Sequence, residues 1–108
     1  METYDTSVME QEMPEQFAEV LCSITDMQVM QRFLRDVMTE KEIAEISARF
    51  EAAKMLTAGA SYTEVIRRTK LSSRTVARIS DWLQNGSGGY KTALETFEHL
   101  HIQPDPSE

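Results

Sequence analysis

Ser61-Tyr62-Thr63-Glu64-Val65-Ile66-Arg67-Arg68-Thr69-Lys70-Leu71-Ser72-Ser73-Arg74-Thr75-Val76-Ala77-Arg78-Ile79 decides how the rest of the chain is read. Ser61 with Glu64 three residues on is a capping box: the serine hydroxyl takes the third amide and the carboxylate returns to the first. It opens a short helix with Val65 and Ile66 inward, which must stop near Lys70. Ser72 or Ser73 then caps a second helix, Arg74 to about Asn85, with Val76, Ile79 and Leu83 on one face and Gly86 as its stop. A short capped helix, a turn of a few residues and a second capped helix is the grammar of a helix-turn-helix.

Charge falls on the same stretch. The whole chain carries −7, but residues 61–91 hold six bases and two acids: Arg67, Arg68, Lys70, Arg74, Arg78 and Lys91 against Glu64 and Asp81. Residues 1–31 hold seven acids and no base, residues 32–60 five of each, and residues 92–108 four acids. A basic island inside an acidic protein projects a local positive field onto one face, as a phosphate-binding surface requires. With Val76, Ile79 and Leu83 inward, the 100° step of a helix turns Arg74, Arg78, Asp81 and Asn85 outward with Ala77 beside them. The candidate DNA-binding residues are therefore Tyr62, Thr63, Arg67, Arg68, Lys70, Ser72, Ser73, Arg74, Ala77 and Arg78. The arginines would reach phosphates or guanine edges, and the cap serines would hold a phosphate.

Working outward, Thr39-Glu40-Lys41-Glu42 is another capping box. It opens a helix to about Ala58 that should bury Ile43, Ile46, Phe50, Ala53 and Leu56, with Gly59 as the left-handed end. Upstream, Thr25 with Gln28 reads as the cap of a helix carrying Met27, Met30, Phe33, Leu34 and Val37. A first helix is expected from Pro14, with Phe17, Val20, Leu21 and Ile24 on one face. Downstream, Ser87-Gly88-Gly89 is a joint and Tyr90 to about Leu100 a last helix with Ala93, Leu94 and Phe97 inward. The expectation is an all-α chain: a loose acidic arm at 1–12, a helical body at 13–100 with the helix-turn-helix at about 61–85, and a mobile tail at 101–108.

Composition narrows the function classes. At 108 residues there is room for one domain, and no apolar run approaches the about 18 residues of a spanning helix. The first residues lack a signal peptide's basic start and apolar stretch, so a soluble cytoplasmic protein is expected. Cys22 stands alone and is read as a small buried apolar residue, with no metal site expected. The two histidines, His99 and His101, lie near the tail and assemble no nucleophile–base set, and Gly86-Ser87-Gly88-Gly89 lacks the Lys-Ser/Thr of a phosphate loop, so no enzyme is expected. The competing reading is a dimeric interaction module whose basic helix pair docks an acidic protein.

Thr39-Glu40-Lys41-Glu42, Arg49, the helix end from Leu56 to Gly59, Ser61 to Val65 and Arg74-Thr75-Val76-Ala77-Arg78-Ile79-Ser80 together resemble the tryptophan repressor (TrpR) family, in its TrpR-related YerC/YecD-like branch, over roughly residues 13–100. The resemblance implies a six-helix fold, an intertwined homodimer built by the N- and C-terminal helices of both subunits, and a DNA-binding transcriptional regulator, a repressor by type, with double-stranded DNA as partner. It also implies a tryptophan corepressor held between two arginines. Carried over by motif, these fall on Arg49 and Arg78, with Thr39 as the helix-start threonine, so Thr39, Arg49, Arg78 and Ile79 form a candidate effector pocket. This chain departs from the pattern: Ile79 stands where the family keeps a glycine, and Trp82 where a serine is usual. A branched side chain fills the space of an indole, so no cofactor is expected, and tryptophan is not expected to be required.

Overall fold

The computed structural model describes residues 6–101. They form six helices: α1 Thr6–Ser23, α2 Met27–Val37, α3 Glu40–Thr57, α4 Tyr62–Thr69, α5 Ser73–Asn85 and α6 Gly89–Leu100, and no strand occurs among the described residues. Residues 1–5 of the expected arm and 102–108 of the expected tail lie outside that range.

Short-range chemistry sets most of the boundaries. The Thr39 hydroxyl accepts from the Glu42 amide at 3.1 Å while the Glu42 carboxylate accepts from the Thr39 amide at 2.9 Å, closing the capping box of α3. These bonds from Thr39 hold the Glu42 carboxyl below the usual carboxylate range. At the other end of α3 the Ala60 amide donates to the Met55 carbonyl and the Gly59 amide to Leu56, with Gly59 at φ 93°. That pair of bonds is the Schellman termination that a residue without a side chain permits. Gly86 ends α5 for a different reason. Its backbone is extended, but a Cβ there would lie 2.5 Å from the Trp82 carbonyl oxygen.

Two expected starts differ. The cap of α2 is Asp26, not Thr25: one carboxylate oxygen accepts from both Gln28 (2.8 Å) and Val29 (3.1 Å), which a hydroxyl does less strongly. α1 begins at Thr6 and not near Pro14, so the stretch expected as a loose arm is helical from Thr6 and Pro14 sits inside the helix. The missing proline amide leaves the Glu10 carbonyl without its helical donor.

The chain divides into two compact units, one up to Ile43 and one from Ala44 onward, within the stretch 13–100 that the sequence presents as one body. In the first, Phe17 of α1 meets Phe33 of α2 with ring centroids 6.1 Å apart. No residue from 10 to 43 is fully buried, and Met27 is 76% exposed. The second unit owns the core: Ala52 and Ala53 of α3, Val65 of α4, and Val76 and Ile79 of α5 are sealed from water. Leu56, Ile66, Leu71, Leu83, Tyr90 and Leu94 pack around them half-buried. Periodicity had placed Ile46 inward as well, yet it is 54% exposed, and Ala93 of α6 is exposed too. The sealed positions of α3 are taken by two alanines, whose small side chains suit a close approach between helices, while the bulkier stripe of Ile46 and Phe50 lies along a hollow that this chain does not fill.

Candidate nucleic-acid interface

α4 and α5 pack on each other around Val65, Val76 and Ile79. The turn between them is held almost entirely by its own polar groups. The Ser61 hydroxyl accepts from the Glu64 amide at 3.2 Å to start α4. Thr69 donates its hydroxyl to the Val65 carbonyl (2.7 Å) and accepts from the Leu71 amide (3.3 Å). Lys70 turns the chain in the left-handed conformation, φ 63°, while its amide donates to the Ile66 carbonyl. Ser72 then caps α5, accepting from the Thr75 amide at 3.1 Å and donating to the Thr75 hydroxyl at 3.0 Å. Ser73, the other candidate cap, is the first residue of the helix. With both helix ends satisfied, the pair is a preformed unit.

The ten residues read from sequence as a DNA surface all lie on this unit and all are exposed. Tyr62 and Thr63 open α4, Arg67 and Arg68 close it, Lys70 and Ser72 bracket the turn, Ser73 and Arg74 begin α5, and Ala77 and Arg78 stand one turn on. Lys91, counted in the same basic island, belongs to α6. The cations are not equivalent. Arg68 Nε donates to Glu51 Oε1 at 3.1 Å, while Lys54 meets the other oxygen of Glu51 at 3.2 Å, and the two cations, Arg68 foremost, hold the Glu51 carboxyl below its usual range. Arg78 lays its guanidinium 5.4 Å from the centre of the Trp82 ring, and Trp82 stacks on Tyr90 of α6 at 6.4 Å and 24°. Arg67, Lys70 and Arg74 have no ion pair among the described residues.

The effector set divides. Arg49, Arg78 and Ile79 line one hollow of about 130 Å³ together with Thr75 and Trp82. That is well below the about 300–1,000 Å³ of a usual ligand cleft. Ile79 is 1% exposed and belongs to the core. Thr39 belongs to the N-terminal unit, where both its hydroxyl and its amide are engaged by Glu42. Sequence reasoning missed the Arg78–Trp82–Tyr90 stack and the Glu51 hold on Arg68. Both join residues of separate helices, and only the four-residue spacing of Arg78 and Trp82 was visible as a pattern. It also missed a larger apolar hollow of about 610 Å³ lined by residues that include Ile46, Phe50, Trp82 and Tyr90.

Six helices with a capped, basic α4–turn–α5 pair agree with the family match: the Trp repressor protein family covers residues 12–98, so the chain belongs to it, a family of DNA-binding regulators. The uncharacterized protein YerC of Bacillus subtilis (strain 168) is 32% identical over 83 residues, which span 77% of this chain and 80% of that protein. Among solved structures, a TrpR-like protein from Eubacterium eligens ATCC 27750 superposes with a TM-score of 0.71 at 33% identity, over 84% of this chain and 91% of the other. A protein from Staphylococcus aureus proposed to be a Trp repressor reaches a TM-score of 0.75 at 20% identity over 95% and 100%, a likeness of fold. No described helix is long and apolar enough to cross a membrane, and the described residues contain no cluster of His, Cys, Asp and Glu able to hold a metal ion.

Proposed function

We propose that the protein is a sequence-specific repressor that binds double-stranded DNA as a homodimer, laying α5 of each subunit in the major groove while α4 crosses the backbone. The observation that carries this is the coincidence of a locked helix pair with exposed cations that have no ion pair among the described residues: Arg67, Lys70 and Arg74. The dimer is supported by the apolar side chains left in water. Met13, Phe17, Val20, Met27, Val29 and Val37 of the N-terminal unit and Ile46 and Trp82 of the other are exposed, more than a small monomer normally leaves open. Two heads related by a twofold axis would engage half-sites about 34–36 Å apart, so the operator is expected to be near-palindromic. No small molecule is needed for this activity in this reading: Ile79 is packed as core where the family keeps a glycine.

The test is a pair of binding isotherms on duplex DNA at two salt concentrations, run beside sedimentation equilibrium. Affinity should fall steeply with salt through counterion release, and the mass should be twice the 12.3 kDa of the chain. A flat or absent DNA signal would favour an acidic protein as the partner of the basic face, and a monomer mass at micromolar concentration would refute the dimer.

A further inference from the structure

The outward face of α5 runs Arg74, Ala77, Arg78, Asp81, Asn85, because Val76 and Ile79 are buried on the opposite side. Most of that face is already engaged or lacks a polar group. Asn85 donates to Asp81 at 2.9 Å, so the far end of the face is carboxylate and amide bonded to each other, and the Asp81 charge would repel a phosphate. Arg78 lies over Trp82, which is held in turn by Tyr90. Ala77 has no polar atom beyond its backbone. Arg74, one turn before Arg78, is exposed and has no ion pair or ring partner among the described residues.

We infer that Arg74 is the specificity-determining residue of the recognition helix and reads a guanine in each half-site, while Arg78 makes no base contact. The inference rests on the DNA-binding reading above. An arginine at the start of a recognition helix stands where base edges are met. Its planar fork matches the O6 and N7 acceptors that guanine alone presents side by side in the major groove. Arg67 is in the last turn of α4 and Lys70 at the turn, on the helix that crosses the backbone in such a unit, and phosphate contacts of that kind position the protein without reading sequence.

The experiment selects duplexes from a randomised pool with the full wild-type chain, then measures affinities for the selected site with wild type and with Arg74→Ala, Arg78→Ala and Arg67→Ala. Wild type should enrich a guanine at one fixed position of each half-site. Arg74→Ala should lose about 5- to 150-fold of the discrimination at that position and little elsewhere. Arg78→Ala should keep the guanine preference. Arg67→Ala should weaken all duplexes alike and lower the salt slope by about one. A selected site carrying deazaguanine, which lacks the N7 acceptor, gives a test independent of variant folding: wild type should lose affinity and Arg74→Ala should not respond. A guanine preference that survives Arg74→Ala, or that Arg78→Ala erases, overturns the assignment while leaving DNA binding intact. Absence of salt-dependent binding by wild type to any duplex overturns the reading beneath it.

Discussion

Ile79→Ala separates two views of the same side chain, as a wall of the body or as an obstruction in an effector pocket. Ile79 is 1% exposed and is sealed together with Ala52, Ala53, Val65 and Val76. Truncation removes about three carbons, each worth about 0.8 kcal/mol of transfer from water. Val65 and Val76 cannot close fully over the gap, and a residual cavity adds to the loss, so the expected destabilisation is about 3 kcal/mol within the about 2–5 kcal/mol range of such changes. In a domain of this size each kcal/mol moves the midpoint by about 4–8 °C, giving a fall in Tm of about 12–24 °C. Ile79→Val, which keeps the branch, should cost about 0.5–1.5 kcal/mol. Urea unfolding followed by far-ultraviolet circular dichroism is the assay, at matched protein concentration because the proposed dimer would add stability by mass action. A loss below about 1 kcal/mol for Ile79→Ala, accompanied by new saturable binding of tryptophan, would refute the reasoning and return the side chain to the pocket.

Gly86→Ala places a Cβ 2.5 Å from a backbone oxygen that cannot swing away, the Trp82 carbonyl, so the end of α5 must shift; a loss of about 1–3 kcal/mol in thermal melts is expected, and a neutral result would show that the turn is not held as described. Glu42 and Glu51 both titrate below the usual carboxylate range in the folded chain, through Thr39 and through Arg68 and Lys54 respectively. Stability from a depressed carboxylate is full above its unfolded value and lost as pH falls through the folded one. The acid limb of a pH–stability curve should therefore flatten in Glu42→Gln and Glu51→Gln, and an unchanged limb would exclude these groups as its source. Calorimetry with millimolar L-tryptophan, with and without operator, should show no saturable heat and less than a tenfold change in DNA affinity, because the branched Ile79 side chain is packed where the family keeps a glycine.

What sequence made legible was what is decided within four residues. The box at Thr39 and the cap at Ser72 are hydrogen bonds between near neighbours, and each is formed, whereas at Ser61 only the hydroxyl half of the expected box is made and the Glu64 carboxylate does not return. At Asp26 two adjacent cap-forming residues competed, and the rule names a residue type more firmly than it names a position. At α1 the rule that prolines open helices misplaced the start, since the residues before Pro14 show no apolar stripe to announce a helix. The inward register of α5 followed from its period, because Val76 and Ile79 have packing partners within the same unit. On α3 the same logic favoured Ile46 over Ala52, since periodicity weighs hydrophobicity and not the closeness of helices. The basic face proposed for DNA was readable as a cluster of cations. Which of them are engaged was not, because Glu51 and Tyr90 are distant in sequence from the arginine and the tryptophan they hold.

The left-handed backbone of Lys70 sets stability against binding at a single residue. A side chain in that conformation costs about 1–2 kcal/mol, and a glycine would remove the cost at the expense of about 0.4–1 kcal/mol of added freedom in the unfolded chain. Lys70→Gly is therefore neutral to stabilising by about 1 kcal/mol, yet it deletes a cation from the corner between the two helices. A turn selected for durability alone would hold glycine there. Lysine at that corner means that the turn carries conformational strain together with a charge, and under the proposed DNA binding, thermostabilising designs that regularise this turn should yield a firmer protein that releases its operator sooner as salt rises.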